Sequence, residues 1–300
     1  RNFSLINLDL PFQMKTFITL AALGFLNSIS ALNYNESEAY QEVKWAGAAY
    51  CCGTLGNGCE KWDCPSCSGE METVVFENSK YQANGFVGYQ PGTNTIVVSF
   101  AGTDPLKILD WIDDLDFVKT NFNGYDDIVV NCSGCEVHKG FYDTYMSVAS
   151  DIRNAVDGFL YEHSTAQMII TGHSLGASLA LHCAMDFTIL DYPLKFLYNF
   201  GQPRTGNYDF SQYVTSMMNQ RIFRITHHKD PVPEVPLQAM GFYHEPHEVF
   251  YNELSTDYTV CDDSGEDPKC EDQYDADLNI YDHLSYMNFD FTANYLACKF

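Results

Sequence analysis

The sequence predicts an α/β protein, with a mostly parallel central sheet and helices on both of its faces. Four short apolar runs are rich in Ile, Val and Phe and are bounded by turn residues, as buried strands are. Helical patterns, with apolar residues three and four positions apart, lie between them, and the pattern is clear over residues 141–159. Strands and helices that alternate in this way are typical of a sheet covered by helices. The four runs are residues 95–100, 168–171, 196–200 and 221–226.

The composition is that of a globular protein, since 46% of the 300 residues are hydrophobic and 19% are charged. A chain of this length can bury a substantial core without a partner. Its 40 acidic and 16 basic residues give a formal net charge of −24. Nucleic acid is therefore excluded as a partner, because phosphate binding needs clustered Lys and Arg. Any contact with lipid must come from apolar surface rather than from positive charge.

The first 31 residues predict processing signals rather than part of the fold. Residues 1–13 precede the plausible start at Met14 and are interpreted as a non-native upstream segment. Residues 14–31 have the basic start, short apolar run and small terminal residues of a secretory signal peptide. A buried N-terminal helix is the alternative. We therefore expect a secreted protein (extracellular, or in the lumen of a secretory compartment), with one domain over residues 32–300 and no transmembrane segment.

Eleven cysteines agree with export, because exported thiols are oxidised to disulfides. Ten of them lie in loops or near a terminus and are predicted to form five bridges. Cys183 lies in a helical apolar stretch and is predicted to be a buried free thiol. Two C-x-x-C pairs, at Cys64 and Cys67 and at Cys132 and Cys135, leave zinc as the alternative to disulfides.

Residues 172–176 read Gly-His-Ser-Leu-Gly, a G-x-S-x-G motif between a strand and a helix over residues 177–190. A sharp turn from strand to helix presents a serine hydroxyl at the sheet edge, and flanking glycines let the two elements pass closely. The helix N-terminus places backbone N–H groups beside a developing oxyanion. Ser174 is therefore the predicted nucleophile. The alternative is that Ser174 only caps an ordinary helix.

The acid and base of such a site follow the serine in the order Ser, acid, His in α/β-hydrolases. Asp230 comes directly after the strand at residues 221–226, and the prolines behind it stiffen its loop. Its alternative role is to cap a turn before proline. Three later histidines are available. We choose His283, which opens the last helical stretch, over His244 and His247, which could equally be packing residues; the choice rests partly on the resemblance described next.

Five stretches of the sequence resemble the class 3, or fungal-type, triacylglycerol lipases of the α/β-hydrolase superfamily. The resemblance runs in order from about residue 50 to residue 298. It implies an α/β-hydrolase fold with no cofactor and no metal, and a triad of Ser174, Asp230 and His283. The matching stretches are residues 137–141, 172–176, 200–207, 230–233 and 282–286.

The resemblance also implies an oxyanion hole formed by Thr103 and the backbone N–H of Leu175. Thr103 follows the strand at residues 95–100, where an N–H and hydroxyl donor is needed. The family usually has Arg where this chain has Ala101, which weakens the expected support of the loop. Three disulfides, Cys51–Cys298, Cys64–Cys67 and Cys261–Cys270, are implied by the resemblance. Proximity along the chain adds Cys52–Cys59 and Cys132–Cys135, and the adjacent Cys51 and Cys52 could exchange partners.

Residues 105–115 predict an amphipathic helix next to the oxyanion residue, with acidic side chains on its other face. Such a helix resembles the family's lid, which would cover the acyl site in water and turn its apolar face to lipid. A plain helix packed on the core is the alternative. The lid residues are predicted to be Leu106, Ile108, Leu109, Trp111, Ile112 and Leu115.

Together these observations predict a secreted serine ester hydrolase that acts on acylglycerols at an oil–water interface. Alternatives on the same scaffold are a feruloyl esterase and a phospholipase A1, which differ in lid and acyl pocket. A catalytically inactive secreted binding protein is the alternative of another class. The sequence makes no prediction of oligomeric state. The acidic, turn-rich segment over residues 261–277 is predicted to be a surface excursion.

Overall fold

A central sheet of eight strands organises the computed structural model, which describes residues 34–53, 58–126, 128–218, 220–274 and 278–299. In chain order the strands are β1 Glu72–Asn78, β2 Ala83–Gln90, β3 Thr95–Phe100, β4 Lys119–Asn121, β5 Gly124–Tyr125, β6 Ile128–Val129, β7 Glu136–His138, β8 Gln167–His173, β9 Leu194–Phe200, β10 Ile222–His227, β11 Glu248–Tyr251, β12 Tyr258–Val260, β13 Ser285–Tyr286 and β14 Phe289–Asp290. The helices are α1 Glu36–Ala49, α2 Gly58–Lys61, α3 Ile108–Asp114, α4 Lys139–Met146, α5 Ala149–Glu162, α6 Leu175–Ile189, α7 Tyr208–Met218, α8 Ile280–His283 and α9 Phe291–Lys299.

The middle of the central sheet is parallel, and its edges are antiparallel. The spatial order is β1-β2-β3-β8-β9-β10-β11-β12, and neighbouring strands from β3 to β11 run parallel. Strands β1 and β2 at one edge, and β12 at the other, pair antiparallel. The predicted mostly parallel sheet is confirmed. The four strands predicted from the sequence correspond to β3, β8, β9 and β10, with ends within two residues.

Helices cover both faces of the sheet because successive side chains of a strand point to opposite faces. In β3, Ile96, Val98 and Phe100 belong to a large apolar cluster shared with α4, α5 and α6. The intervening Ser99 points the other way, and its hydroxyl donates to the backbone carbonyl of Trp45 in α1 at 2.9 Å. Strands buried on both faces explain why the sequence shows continuous apolar runs rather than alternation.

The helical pattern over residues 141–159 proves to be two helices, α4 and α5. They are separated at Ser147 and Val148. The hydroxyl of Ser147 donates to the carbonyl oxygen of Thr144 at 2.7 Å, a local hydrogen bond that competes with continuation of the helix. The buried side chains on either side keep the same periodicity, so the apolar pattern alone does not reveal the break.

The segment predicted as a surface excursion, residues 261–277, is only partly exposed over its described residues 261–274, and the prediction was wrong for its middle. Asp267, Cys270 and Glu271 are buried. Two buried arginines, Arg204 and Arg224, lie behind the segment, and Arg204 forms ion pairs with its acidic side chains. The acidic composition therefore predicted an exposed segment, whereas the chain packs these acidic side chains against buried arginines.

The predicted upstream segment, residues 1–13, and the predicted signal peptide, residues 14–31, lie outside the described residues. Both stay predictions. Among the residues that are described, no helix combines the length and the apolar character that crossing a bilayer requires.

Candidate active site

Ser174 occupies a sharp turn between strand β8 and helix α6, where the sequence motif predicts it. Its φ is 60° and its ψ is −132°, a strained backbone conformation for a residue with a side chain. The turn is held by a hydrogen bond of 2.9 Å from the Ser174 N–H to the carbonyl oxygen of Phe200 on β9. The Ser174 hydroxyl makes no capping hydrogen bond to α6. The helix-cap alternative therefore does not describe this serine.

The two glycines of the motif are required by close approach of backbone segments. A Cβ atom on Gly172 would lie 2.3 Å from the carbonyl oxygen of Gly176. A Cβ atom on Gly176 would lie 2.5 Å from the carbonyl oxygen of Phe100, at the end of β3. Both distances are below the 3.0 Å that real Cβ contacts respect. Any other residue would push β8, α6 and β3 apart and displace Ser174.

Asp230 and His283 form a buried hydrogen-bonded pair, with 2.8 Å between Asp230 Oδ2 and His283 Nδ1. The two side chains are completely inaccessible to solvent. Asp230 Oδ1 also accepts from the backbone N–H of Val232 at 2.8 Å, so the turn-capping role considered for Asp230 coexists with the contact to histidine. Oδ2 accepts a second hydrogen bond from the hydroxyl of Tyr286.

His283 ends the short helix α8 and does not open the last helix, so that detail of the sequence prediction was wrong. The hairpin β13–β14 lies between α8 and α9. Three elements thus contribute to one edge of the sheet: the β8–α6 turn, the loop after β10 and the end of α8. All three lie at the carboxyl ends of strands or beside them, as ligand sites of open α/β sheets do.

The Asp230–His283 pair lies beside the Ser174 turn. The ring centroids of His173 and His283 are 4.5 Å apart. A Cβ atom on Gly201 would lie 2.9 Å from both Asp230 Oδ2 and His283 Nδ1, and Gly201 directly follows the residue that binds the Ser174 N–H. Ser174 Oγ and His283 Nε2 are buried, and neither has a hydrogen-bond partner among the described residues. The structure therefore brings the acid and base into contact and leaves the bond between serine and histidine unformed.

His173, the residue before the serine, supports the backbone at His283. Its Nε2 lies 2.8 Å from the carbonyl oxygen of His283, and its Nδ1 lies 2.7 Å from the hydroxyl of Tyr50. A carbonyl only accepts, so Nε2 carries the proton and Nδ1 accepts from Tyr50. Burial, and then the charge of His283, lower the pKa of His173 well below its usual range. His173 is thus a neutral side chain that links the serine turn to the end of α8 by a hydrogen bond.

Thr103 and Leu175, the two expected oxyanion donors, line one cavity of about 280 Å³. Thr103 Oγ1 is buried without a hydrogen-bond partner in the described part of the chain. The preceding Gly102 passes so close to Ser174 that a Cβ atom on it would lie 2.8 Å from Ser174 Cβ. At Ala101, where the family usually has Arg, the backbone N–H donates to the carbonyl oxygen of Asn84 on β2 at 2.9 Å. Backbone pairing therefore supports this loop.

The expected lid consists of a 3₁₀ turn, Pro105–Lys107, followed by α3. Asp104 anchors its start. Asp104 Oδ1 accepts from the backbone N–H of Leu106 at 3.0 Å, and Oδ2 accepts from the hydroxyl of Tyr295 in α9 at 2.9 Å. The segment therefore leaves the oxyanion loop from a point tied to the C-terminal helix.

The apolar side chains of this segment are divided between its inner and outer sides. Ile108 is buried at 4% exposure, and Trp111, Ile112 and Leu115 are half-buried. Leu106 and Leu109 face solvent with exposures of 60% and 57%. The packed-helix alternative accounts for the inner side but gives no reason for two exposed leucines at adjacent turns.

The site is closed in this conformation. Ser174 is 1% exposed and His283 is 0% exposed, so no substrate reaches them without a movement. Cavities lie on both sides of α3. One of about 480 Å³ is lined by Trp111, Leu115, Phe141 and Leu175, and one of about 630 Å³ lies between Leu109 and the segment around α8. Residues of α3 line both cavities.

The remaining predicted residues lie elsewhere. His244 Nε2 contacts the carbonyl oxygen of Pro233 at 2.9 Å, and His247 pairs with Asp263, so both have structural partners away from Ser174. Cys183 is a buried free thiol. Five disulfides are present, and both C-x-x-C pairs are among them, which leaves neither pair as free thiolates. The disulfides are Cys51–Cys298, Cys52–Cys59, Cys64–Cys67, Cys132–Cys135 and Cys261–Cys270.

The fold and the serine turn define the class of the protein as an α/β-hydrolase. A family model described as Lipase (class 3) matches residues 97–240. A solved structure of a triacylglycerol lipase, whose catalytic centre is described as a serine protease triad, superposes with a TM-score of 0.76 at 30% sequence identity. That match covers 86% of this chain and 96% of the other. The chain belongs to the class 3 lipase family, which confirms the resemblance.

Curated relatives agree with this membership. A secreted mono- and diacylglycerol lipase A of Penicillium cyclopium is 32% identical over 189 residues, which is 62% of this chain. A lipase of Rhizomucor miehei is 31% identical over 233 residues, or 75% of this chain. The chain spans 58% and 61% of the lengths of these two relatives.

Sequence reasoning missed three residues of the site: Tyr50, His173 and Tyr286. His173 and Tyr286 stand inside motifs that were recognised, one residue before Ser174 and three after His283. Their positions therefore gave a signal, but the direction of a side chain in a turn cannot be inferred from its position alone. Tyr50 is more than 120 residues from its partner, His173, and nothing in the sequence connects the two.

Proposed function

We propose that the protein is a serine carboxylic-ester hydrolase that cleaves acylglycerols through an acyl-enzyme on Ser174. The observation that carries this proposal is the buried 2.8 Å hydrogen bond between Asp230 and His283 beside the strained turn of Ser174. An aspartate with only a structural role would not need a histidine partner, and a serine with only a structural role would not need a strained backbone conformation. Strain persists where the surrounding structure enforces it, and it clusters at active sites.

In the proposed reaction, His283 Nδ1–H donates to Asp230, so Nε2 is the basic nitrogen that takes the Ser174 proton. Ser174 Oγ then forms a bond to the ester carbonyl carbon, and the carbonyl oxygen becomes an oxyanion. The N–H groups of Thr103 and Leu175, with the Thr103 hydroxyl, stabilise this charge. The ester C–O bond breaks, and the leaving alcohol takes the proton from His283. A water molecule, activated by His283, releases the acid from Ser174.

The shape and lining of the site support an acylglycerol as substrate. The cavity of about 480 Å³ between α3 and α4 presents the apolar side chains Trp111, Leu115, Phe141 and Leu175, and its volume is typical of sites for ligands of drug size. Relatives named as mono- and diacylglycerol lipase and as lipase support the same substrate class. The net charge of −24 opposes adsorption on anionic lipid, so a neutral oil surface fits better.

The closed state supports activation at an interface. Leu106 and Leu109 are exposed in water, and each apolar side chain transferred to lipid contributes roughly 1.5–3 kcal/mol. Transfer of these two, together with the half-buried Trp111, Ile112 and Leu115, would offset the loss of core contacts when α3 moves. The proposed lid thus opens where its outer side meets lipid.

Secretion is part of the proposal. The five disulfides require an oxidising compartment to form and persist. A relative named as a secreted lipase supports the same location.

The test is a hydrolysis profile over p-nitrophenyl esters from acetyl to palmitoyl, with emulsified tributyrin, phosphatidylcholine and a feruloyl ester beside them. We expect cleavage of acyl esters and tributyrin, with a rate that rises steeply where tributyrin passes its solubility limit. Ser174→Ala should lower turnover by about three orders of magnitude or more. Preference for phosphatidylcholine or the feruloyl ester would assign a phospholipase or feruloyl esterase instead. No hydrolysis by the folded protein would favour the binding-protein alternative.

A further inference from the structure

A cluster of acidic side chains lies between the loop of Asp230 and the disulfide-bonded segment that ends at Cys270. Two guanidinium groups, of Arg204 and Arg224, lie among these acids and are almost completely buried. Nothing in the proposed ester hydrolysis uses the cluster. Its acidic members are Glu234, Glu248, Glu266, Glu271 and Asp272.

Each arginine has one principal carboxylate partner. Arg204 binds Glu266 through two nitrogens, with Nε–Oε1 at 3.0 Å and Nη2–Oε2 at 2.7 Å. Arg224 Nη2 lies 3.2 Å from Glu248 Oε2, and Glu248 also accepts from the Thr226 hydroxyl. The two arginine charges are therefore matched within these pairs. Burial raises the pKa of the remaining acids, Glu234, Glu271 and Asp272, as expected of carboxyl groups that lack a cation of their own.

Three carboxylates remain in excess: Glu234, Glu271 and Asp272. One oxygen of each lies within 4.8 Å of the other two. Arg204 Nη2 reaches the edge of this group, at 3.1 Å from Asp272 Oδ1 and 3.5 Å from Glu234 Oε2. One shared guanidinium does not neutralise three further anions, and uncompensated charge is costly away from water.

The side chain of Glu271 gives an independent sign of a missing partner. Glu271 is 3% exposed, and its Oε1 is buried with no hydrogen-bond partner among the described residues. Its backbone N–H is satisfied by Glu248 Oε1 at 3.2 Å. A buried carboxylate oxygen without a donor, inside a group of acidic side chains, leaves room for a bound cation or for a proton shared with Glu234.

We propose that Glu234, Glu271 and Asp272 bind a divalent cation of the calcium type. Three oxygens within 4.8 Å of one another lie at most about 2.8 Å from one central point, so a small inward shift brings each to the 2.3–2.6 Å that Ca²⁺ prefers. An all-oxygen, anionic donor set selects a hard cation over zinc or copper. Glu234 and Asp272 keep about a fifth of their side chains exposed, so water can complete the coordination shell.

The cation joins two parts of the chain that are distant in sequence. Glu234 follows Asp230 by four residues in the same loop, whereas Glu271 and Asp272 directly follow Cys270, which is bonded to Cys261. Binding therefore fastens the loop of Asp230 to the body of the protein. The site is independent of the proposed ester chemistry, because it uses none of the three triad residues.

The experiment compares thermal unfolding of the full chain after EGTA treatment, with and without 2 mM CaCl₂, at constant ionic strength and with MgCl₂ in parallel. Because a ligand at about 100 times its Kd stabilises a folded chain of this size appreciably, we expect Ca²⁺ to raise Tm by about 5 °C or more. Isothermal titration with CaCl₂ should give one site per chain. Glu271→Gln should abolish both effects, and Glu253→Gln, an exposed acid outside the cluster, should keep them.

If Glu271→Gln does not fold, Asp272→Asn replaces it as the cluster variant, because Asp272 lies at the exposed side of the cluster. The carboxyl groups of Glu234 and Glu271 also lie close enough to share a proton, which is the competing occupant. The proposal is overturned if Tm does not change with Ca²⁺ but falls as pH rises from 5 to 8, and if the cluster variants do not show that fall. The cluster would then bind protons rather than a cation. A Ca²⁺ effect of equal size in wild type and cluster variants would also overturn it.

Discussion

Asp230 has three hydrogen-bond donors, from His283, Val232 and Tyr286. The contact to the backbone of Val232 fixes one carboxylate oxygen, and the histidine and tyrosine share the other. Burial, and then the charge of Asp230, raise the pKa of Tyr286 well above its usual range, so its hydroxyl stays protonated and donates. In the proposed reaction, Tyr286 is thus a positioning residue that acts through Asp230.

Replacement of Tyr286 tests that role. In Tyr286→Phe the carboxylate loses one donor, and a hydrogen bond to a charged group contributes about 1.5–3 kcal/mol. We expect kcat on a soluble p-nitrophenyl ester to fall about tenfold or more, with KM nearly unchanged, because the change affects the histidine rather than substrate binding. The matched control is Tyr281→Phe, a tyrosine that is 75% exposed. A loss of Tm with unchanged kcat would show that Tyr286 is only structural.

The residues of the candidate active site were predictable from the sequence where they occupy a fixed position in a motif. Ser174 follows a recognisable strand and lies between glycines, and Asp230 follows the end of another strand. His283 could not be separated from His244 and His247 by position alone. In the structure, each of the three imidazole rings has a different hydrogen-bond partner. These partners depend on tertiary contacts, which patterns in a single sequence do not reveal.

At the scale of secondary-structure elements, the serine turn depends on how closely β8, α6 and β3 pass. Gly172→Ala would place a methyl group 2.3 Å from a backbone oxygen, and backbone atoms cannot yield as a side chain does. We expect a loss of at least about 1–3 kcal/mol of stability, or failure to fold, measured by urea unfolding.

The control for that change is Gly158→Ala in α5. A Cβ atom there meets nothing within 4 Å, and alanine favours a helix over glycine by about 0.5–1 kcal/mol. We expect this variant to be slightly more stable than the wild type. Equal effects of the two alanines would contradict the packing account of the motif.

The lid proposal concerns the outer side of α3 and the turn before it. Leu106→Ser combined with Leu109→Ser removes the two exposed leucines while leaving the buried Ile108 in place. We expect the rate on emulsified tributyrin to fall about tenfold or more, because each leucine contributes roughly 1.5–3 kcal/mol on transfer to lipid. The rate on soluble p-nitrophenyl acetate should stay near the wild-type value.

Leu254→Ser is the matched control, since Leu254 is 69% exposed and lies in the turn between β11 and β12. A parallel loss on both substrates in the lid variant would mean that the leucines support the fold rather than the contact with lipid.

Elements were predicted well where burial on both sides makes the sequence continuously apolar. Strands β3, β8, β9 and β10 and helix α6 follow this rule. The break between α4 and α5 was not predictable, because the buried side chains on either side of it keep the same periodicity. The burial of Glu271 was missed for a related reason: acidic residues are usually exposed, and the two arginines that offset them lie far away in the sequence.

At the scale of the whole molecule, buried histidines make stability depend on pH. Burial lowers the pKa of His138 to about 4. Burial, and then the charge of His138, lower the pKa of His182 to about 3. The unfolded chain binds these protons below a pH of about 6.5, whereas the folded chain does not until pH 4 or lower. The unfolded state therefore holds more protons in this range, and the free energy of unfolding falls as pH falls from 6.5 towards 4.

His182→Gln tests this dependence, since glutamine can still contact the hydroxyl of Tyr125, which lies 3.0 Å from His182 Nδ1. We expect the slope of unfolding free energy against pH, between 4.5 and 6, to decrease by about 1.4 kcal/mol per pH unit relative to the wild type. Urea unfolding at pH 7.5, where both histidines are neutral, gives the packing cost separately. Equal slopes in the two proteins would contradict the assignment.

The central claim is that Ser174 is a nucleophile activated by His283, and covalent labelling tests it most directly. The protein is incubated with a p-nitrophenyl alkylphosphonate in the presence of detergent micelles, and the modified peptide is mapped by mass spectrometry. The account predicts one phosphonyl group per chain, on Ser174, and a labelling rate about a thousandfold lower in His283→Ala. A folded protein that leaves Ser174 unlabelled, or that labels it equally fast without His283, would contradict the account.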